Sequence, residues 1–390
     1  MKGGIKINNQ MKGLKVMTIL GTRPEIIRLS RVIALLDETA EHILVHTGQN
    51  YDYELNEIFF KDLGLRKPDY FLEADTSSLG ATIGDVIRKS EEVLIKEKPD
   101  ALLVLGDTNS CLSAYMAKRL HIPIYHMEAG NRCFDFNVPE ETNRRIIDHI
   151  ADFNLVYTEH ARRHLISEGL SHRRIYLTGS PMNEVLEYYK KKINNSKILT
   201  ELKLKQNDYF IVSIHREENV DNENNLTKLL DTMNTIAETY GKRVIFSTHP
   251  RTRKRINSLK GIEINKGIEF LKPFGFFDYV KLQKHSFCVI SDSGTINEES
   301  SILGFPAITV RNSMERPEGL DHGSIILTGL NKNIILNSIN LVLSEALHNF
   351  TREYTDDYKV SNTSLRVVKL IMGTAKLSNV WNNIQVNANQ

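Results

Sequence analysis

The chain has 390 residues, 50 Lys+Arg against 48 Asp+Glu, a net charge of +2, 41% apolar and 25% charged positions, an ordinary globular composition that excludes collagen-like and disordered classes. Its length exceeds what one hydrophobic core serves, so two or three domains are expected. The scattered basic residues leave no nucleic-acid footprint, Cys111, Cys133 and Cys288 form no CxxC and read as buried fillers in a reducing compartment, and without a membrane span or an apolar signal core a cytoplasmic protein with neither membrane nor nucleic-acid partners is expected.

Residues 1–12 precede the first patterned segment and read as a disordered extension. From Lys15 onward, KVMTIL, HILVHTG, ALLVLGD, IPIYHMEAG, FNLVYT and RIYLTG predict strands. After the first of them, Ile26, Leu29, Ile33 and Leu36 fall on one helical face, and 79–98, 109–120, 139–151, 159–169 and 181–193 have the same period. Gly80 and Gly84 lie within one of these helices and suggest close packing. This βα alternation predicts a parallel sheet with helices on both faces over 13–193. The polar stretch 194–208, NNSKILTELKLKQND, predicts a linker. A second series, YFIVSIH, RVIFSTH, IEFLKP, FCVISDS and PAITVRN with helices at 223–240, 275–285, 295–304 and 333–347, predicts a second doubly wound domain over 209–360. In the closing segment 361–390, an amphipathic helix near 362–375 has no strand after it and is expected to pack back on one of the domains. The predicted class is therefore α/β, two doubly wound Rossmann-like domains facing a central cleft, with ligands beyond the carboxyl ends of the strands.

Polar residues just after strands carry the candidate chemistry. Gly21-Thr22-Arg23-Pro24-Glu25 joins a strand to a helix whose free N–H groups suit an anion, with Arg23 and Arg28 to assist; the same turn also fits a plain helix start with Pro in its first turn. No Walker A motif and no GxGxxG follows any strand, which speaks against ATP turnover and dinucleotide binding. Ser291-Asp292-Ser293-Gly294-Thr295 is a second strand, Ser/Gly turn and helix start that suits a phosphate, although Ser293 also fits a simple N-cap. Asp107, Glu128, Glu140 with Glu141, and His215 follow strands or open helices. Carboxylates at neighbouring strand ends converge, and like-charge repulsion there can shift one toward general acid–base work. HxE occurs at His126–Glu128 without PCxxC, and neither HExxH nor a GxSxG elbow is present, so neither a catalytic metal nor Ser-His-Asp hydrolysis is expected.

Taken in order, Gly21-Thr22-Arg23-Pro24-Glu25, Gly106-Asp107-Thr108, Glu128-Ala129-Gly130, Pro139-Glu140-Glu141-Thr142-Asn143-Arg144, His215-Arg216-Glu217-Glu218-Asn219, Ser291-Asp292-Ser293-Gly294, Glu298-Glu299 and Glu315-Arg316-Pro317-Glu318 resemble the non-hydrolysing UDP-N-acetylglucosamine 2-epimerase family, from about Lys15 to Leu320. The resemblance implies a GT-B-like fold, a homodimer, a UDP-sugar substrate with UDP mainly on the C-terminal domain, and no cofactor. It further implies that Asp107, Glu128 and Glu140 are the acid–base carboxylates, with His215 near the diphosphate. Arg23, Ser293, Gly294 and Thr295 would hold the diphosphate, Glu299 the ribose, and Arg28 and Arg132 would complete the substrate site. Arg316 is either a ligand group or a structural ion-pair partner.

The chain departs from the family pattern at Gly130-Asn131-Arg132-Cys133-Phe134-Asp135, at Arg28 in place of a common Lys, and at Ser293-Gly294-Thr295 in place of Ser-Gly-Gly. With Gly48-Gln49-Asn50-Tyr51-Asp52, the NRCFDFNVPEETNRR stretch is similar to the branch acting on modified UDP-sugars for surface polysaccharide, notably on the route to UDP-N-acetyl-L-fucosamine. A loop carrying Cys133, Phe134, Phe136 and Val138 suits a 6-deoxy sugar. Competing expectations are UDP-N-acetylglucosamine or a diacetamido uronic acid derivative as substrate, a GT-B glycosyltransferase, and a UDP-sugar sensor without turnover.

Overall fold

A computed structural model describes residues 13–49, 59–259, 261–347 and 354–384. They build two all-parallel sheets. The first contains β1 (Lys15–Leu20), β2 (Glu41–His46), β3 (Tyr70–Phe71), β4 (Ala101–Leu105), β5 (Ile124–Ala129), β6 (Phe153–Val156) and β7 (Ile175–Leu177), in the order β3-β2-β1-β4-β5-β6-β7. The second contains β8 (Tyr209–Ser213), β9 (Arg243–Ser247), β10 (Ile268–Leu271), β11 (Cys288–Ser291), β12 (Ala307–Thr309) and β13 (Ile326–Leu327), in the order β10-β9-β8-β11-β12-β13. Central strands such as β4, ALLVL, are buried along their whole length because helices cover both faces. Each sheet reverses its winding once, between β1 and β4 and between β8 and β11, and at such a switch point the loops after the two strands diverge and leave a crevice for ligands. Two Rossmann-like domains of the α/β class are thus present, as the alternation predicts.

The helix Arg23–Thr39 starts with Pro24 in its first turn, where no N–H is required, and buries Ile26, Leu29, Ile33 and Leu36. The helix Leu79–Glu97 is capped by Ser78, whose Oγ accepts the Ala81 N–H at 3.1 Å. Gly80 and Gly84 do not mark close packing: both are exposed, and an added Cβ at either would meet nothing within 4 Å. β3 and β13 escape sequence analysis because two residues show no period. The helix Pro250–Ser258 escapes it because PRTRKRINS has no apolar stripe; Pro250 in the first turn and His249 Nδ1 accepting the Arg251 N–H at 3.3 Å define its start.

The chain divides into two compact units, the described residues up to Val185 together with those from Lys359 onward, and 186–358 between them. Residues 194–208 are therefore no linker. Ile198 is buried in the core of the second unit with Leu199, Leu202 and Leu204 packed against it, a small apolar set that the surrounding Asn and Lys residues obscure in the sequence. The closing helix, Thr363–Trp381, belongs to the first unit. It is held there by Tyr125 Oη to Thr374 Oγ1 at 2.6 Å and by the Ser364 N–H to Glu184 Oε2 at 2.8 Å. The expected extension, residues 1–12, and Asn50, Tyr51 and Asp52 of the substrate-branch stretch lie outside the described residues. Among the described residues no helix is long and apolar enough to cross a membrane. Cys111 and Cys288 are buried as fillers, whereas Cys133 is only half-buried.

Candidate active site

In the first unit, the acid–base candidates gather where β4 and β5 end. Gly106, at φ +72, turns the chain after β4 into Asp107. Glu128 sits at the end of β5, where the register with β6 shifts between Met127 and Ala129 and the Glu128 backbone takes φ +66. A left-handed backbone at a non-glycine residue is strained by roughly 1–3 kcal/mol and persists only where its surroundings impose it. It brings Glu128 Oε2 to 3.8 Å from where a Cβ on Gly106 would stand, beside the Asp107 loop. Glu140 is half-buried in the first turn of the helix Pro139–Ile150. On the same face one turn later, Asn143 Nδ2 donates to the Asp107 carbonyl at 3.0 Å, and Arg144 Nε and Nη2 donate to Asp107 Oδ2 at 2.9 and 2.6 Å.

Arg28, from the helix Arg23–Thr39, pairs through Nη1 with Glu128 Oε2. Asp107 and Glu128 therefore each face a guanidinium. This corrects the expectation of mutual repulsion: charge at each strand end is balanced locally. Arg23, half-buried at the helix start, lies with its guanidinium 5.3 Å over the Phe59 ring. Glu25 is buried and accepts the Gly21 N–H at 3.1 Å and Thr22 Oγ1 at 2.7 Å, so this acid closes its own turn; burial pushes its carboxyl up.

Behind these groups lies a buried polar ladder. His126 meets the Gly106 carbonyl through Nε2 at 2.8 Å and Asp148 Oδ1 through Nδ1 at 2.9 Å. Asp148 also accepts the Gly130 N–H at 3.1 and 3.2 Å and Arg132 Nη1 at 2.7 Å. Burial alone would raise the Asp148 carboxyl, but the bonds and charges of His126 and Arg132 outweigh it and hold it below the ordinary carboxylate value. Arg132, expected on the substrate, turns inward: its side chain is fully buried, and Nε and Nη2 each reach Glu168 at 2.7 Å. That is the place of a structural ion-pair partner, reached because the short loop after Gly130 turns back over Asp148.

In the second unit, the switch point between β8 and β11 is tied together by Asp292. This buried carboxylate accepts the His215 N–H at 3.0 and 3.1 Å, the Arg216 N–H at 2.9 Å and Asn219 Nδ2 at 3.0 Å. His215 Nδ1 lies 3.2 Å from Asp292 Oδ1 with the His215 side chain 46% exposed. Ser293 Oγ and Thr295 Oγ1 are 3.0 Å apart, and Thr295 itself caps the helix Ile296–Leu303 without a side-chain cap bond, so Ser293 is not its N-cap. A Cβ on Gly294 would make only ordinary contacts, 3.7 Å to Arg216 Nη2 and 3.9 Å to Glu315 Oε2, so the protein's own packing does not demand glycine there. Glu299, nearly buried, accepts Gln283 Nε2 at 2.7 Å. Arg316 is buried, 2.7 Å from Glu298 Oε2, which favours its structural alternative.

Sequence analysis quoted Arg144 and Asp292 within motifs without giving either a role, and it did not name Asp148 or Gln283. Arg144 follows Glu140 by four residues and Asp148 follows Arg144 by four, so helical spacing from the motif glutamate was an available signal. For Gln283 no sequence signal exists, because its partner lies on another helix.

The sequence profile of a family described as UDP-N-acetylglucosamine 2-epimerase matches residues 34–372. A UDP-N-acetylglucosamine 2-epimerase of Methanococcus maripaludis is 38% identical over 369 residues, 93% of this chain and 99% of its own. UDP-2,3-diacetamido-2,3-dideoxy-D-glucuronate 2-epimerase of Pseudomonas aeruginosa is 32% identical, covering 92% of this chain and 100% of its own. Among solved structures, UDP-N-acetylglucosamine 2-epimerase from Rickettsia bellii superimposes with a TM-score of 0.88 at 49% identity, covering 95% and 99% of the two chains. UDP-GlcNAc 2-epimerase from Methanocaldococcus jannaschii, in complex with UDP-GlcNAc and UDP, does so with a TM-score of 0.85 at 35% identity, covering 92% and 100%.

Proposed function

The chain belongs to the UDP-N-acetylglucosamine 2-epimerase family and is an isomerase of the epimerase class, and from that premise we propose that it inverts carbon 2 of a UDP-2-acetamido sugar by eliminating UDP to a glycal and adding it back. The carbon 2 proton of such a sugar has no neighbouring carbonyl to make it acidic, so removal and return by simple enolisation is closed. In the elimination, a carboxylate takes the carbon 2 proton, the carbon 1–oxygen bond breaks, and its electron pair leaves with the diphosphate. The return step delivers a proton to the opposite face of carbon 2 while UDP rejoins carbon 1. Acid and base on two faces are required, together with donors for the departing diphosphate.

The observation that carries this reading is the meeting of Asp107 and Glu128 at adjacent strand ends, each against its own guanidinium, with Glu140 on the helix face that reaches Asp107. In the second unit, Ser293, Gly294, Thr295 and His215 are assigned to the diphosphate and Glu299 to the ribose; in the first, Arg28 holds Glu128. Reaction in deuterium oxide tests the route: the product should carry deuterium at carbon 2, and full retention of the substrate proton would exclude elimination.

For the sugar, the reading is a UDP-2-acetamido-2,6-dideoxy-L-hexose of the talose and fucose pair, on a route to surface polysaccharide. Phe134 and Phe136 are 66% and 71% exposed on the loop after Gly130, an apolar surface suited to a methyl group. The cations by that loop are committed: Arg132 to Asp148 and Glu168, and Arg145 to Glu141 and Glu168, which disfavours a uronate. The names of the relatives favour UDP-N-acetylglucosamine as the second reading. Specificity constants measured side by side decide, and a preference for UDP-N-acetylglucosamine above about tenfold would refute the 6-deoxy sugar.

A further inference from the structure

We propose that Gln283 is a positioning residue that sets Glu299 to grip the 2′- and 3′-hydroxyls of the nucleotide's ribose, so that the preference of this chain for a ribonucleotide depends on a side chain that does not itself touch the sugar. The proposal rests on the reading above in which Glu299 holds the ribose of UDP.

Glu299 stands one turn into the helix Ile296–Leu303, just after the Ser293-Gly294-Thr295 turn, and Gln283 lies on the helix Phe276–His285 that precedes β11. Gln283 is 0% exposed and Glu299 9%. The amide Nε2 donates to Glu299 Oε2 at 2.7 Å. The opposite amide orientation would set two oxygens against each other, so the nitrogen must face the carboxylate. The amide oxygen, Gln283 Oε1, is buried with no hydrogen-bond partner among the described residues.

An unmet buried amide oxygen is destabilising. Methionine would fill a similar volume without that penalty, so the amide adds nothing to the packing that an apolar side chain would not supply better. What it does supply is direction. The neighbouring acid, Glu298, is drawn to Arg316, whereas Glu299 has one oxygen tied to Gln283 and makes no hydrogen bond from Oε1 to a described residue. A carboxylate pinned in one rotamer with lone pairs to spare is a ready acceptor for a vicinal diol, and a supporting hydrogen bond of this kind makes the difference between a fixed and a loose site.

The test is calorimetric titration of the full chain with UDP, 2′-deoxy-UDP and 3′-deoxy-UDP, for the unmodified protein and for Gln283→Met and Glu299→Gln. The unmodified protein should prefer UDP over each deoxy analogue by about tenfold or more, the scale of one charge-assisted hydrogen bond. Gln283→Met should narrow that preference to about threefold or less, with deoxy-UDP affinity nearly unchanged. Glu299→Gln should narrow it as well. A Gln283→Met variant that keeps the full preference, or that weakens all three ligands equally, overturns the positioning role. Equal binding of UDP and its deoxy analogues by the unmodified protein overturns the ribose grip while leaving the epimerase reading intact. No binding of UDP at all overturns both.

Discussion

Replacing Asp148 by Asn preserves the shape of the side chain and removes its charge, and so probes the ladder behind Asp107 and Glu128. Asp148 is fully buried between His126 Nδ1 at 2.9 Å, Arg132 Nη1 at 2.7 Å and the Gly130 N–H at 3.1 Å. Removing one partner of a buried ion pair costs about 3–5 kcal/mol, because the remaining charge is stranded. Here Arg132 keeps Glu168 at 2.7 Å and His126 keeps the Gly106 carbonyl at 2.8 Å, which places the expected loss at the lower end, about 3 kcal/mol. For a domain of this size that is a fall of about 6–12 °C in the melting midpoint, read by scanning calorimetry. Turnover should fall too, since Gly106 and Gly130 flank Asp107 and Glu128. The Asp148 carboxyl is held below its ordinary value in the fold. Its stabilisation is therefore complete above the unfolded carboxylate value of about 4 and is lost as pH falls through the lower folded value. The gap between the two proteins should close below about pH 4. A loss under about 1 kcal/mol at neutral pH, or a gap that persists unchanged into acid, would refute this account of the ladder.

Glu128→Gln and Asp107→Asn should each lower the rate by at least about 100-fold while UDP affinity holds, as expected of acid–base groups, with a lower melting midpoint because Arg28 and Arg144 each lose a carboxylate partner; a matching loss of UDP affinity would make them binding residues instead. Gly84→Ala, on the exposed face of Leu79–Glu97 with nothing within 4 Å of the new Cβ, should stabilise by about 0.5–1 kcal/mol, and a lowered midpoint would mean that the helix is not exposed there. Burial pushes the Cys133 thiol up to about 11, so iodoacetamide should label it slowly at about pH 8 and faster as pH rises toward that value; rapid labelling near neutrality would contradict the half-buried setting beside Glu141.

Much of the fold was legible because covered parallel strands and one-sided helices leave plain periodicities. Every long strand expected in chain order is present, and Ile26, Leu29, Ile33 and Leu36 are all fully buried. The motifs also marked the candidate positions: Asp107, His215 and Ser293 follow strands and Glu128 ends one, at or beside the two switch points, and position relative to a strand depends only on local order along the chain. The ordered set of motifs likewise pointed to the family that the comparisons bear out. The supposed linker at 194–208 shows the limit of composition, since four apolar residues among Asn and Lys suffice to join a core.

What the tertiary structure alone decided is which charged groups face each other. Arg132 and Arg316 look, along the chain, like any other arginine in a binding motif; only packing turns one onto Asp148 and Glu168 and the other onto Glu298. The guanidinium beside Glu128 comes from Arg28, 100 residues earlier in the chain, and the amide on Glu299 comes from Gln283, 16 residues earlier on another helix. Periodicity and motif spacing report on neighbours within one element. The balance of charge at a buried site is set by side chains from several elements, because within a low-dielectric interior a charge is tolerated only where the fold supplies its partner.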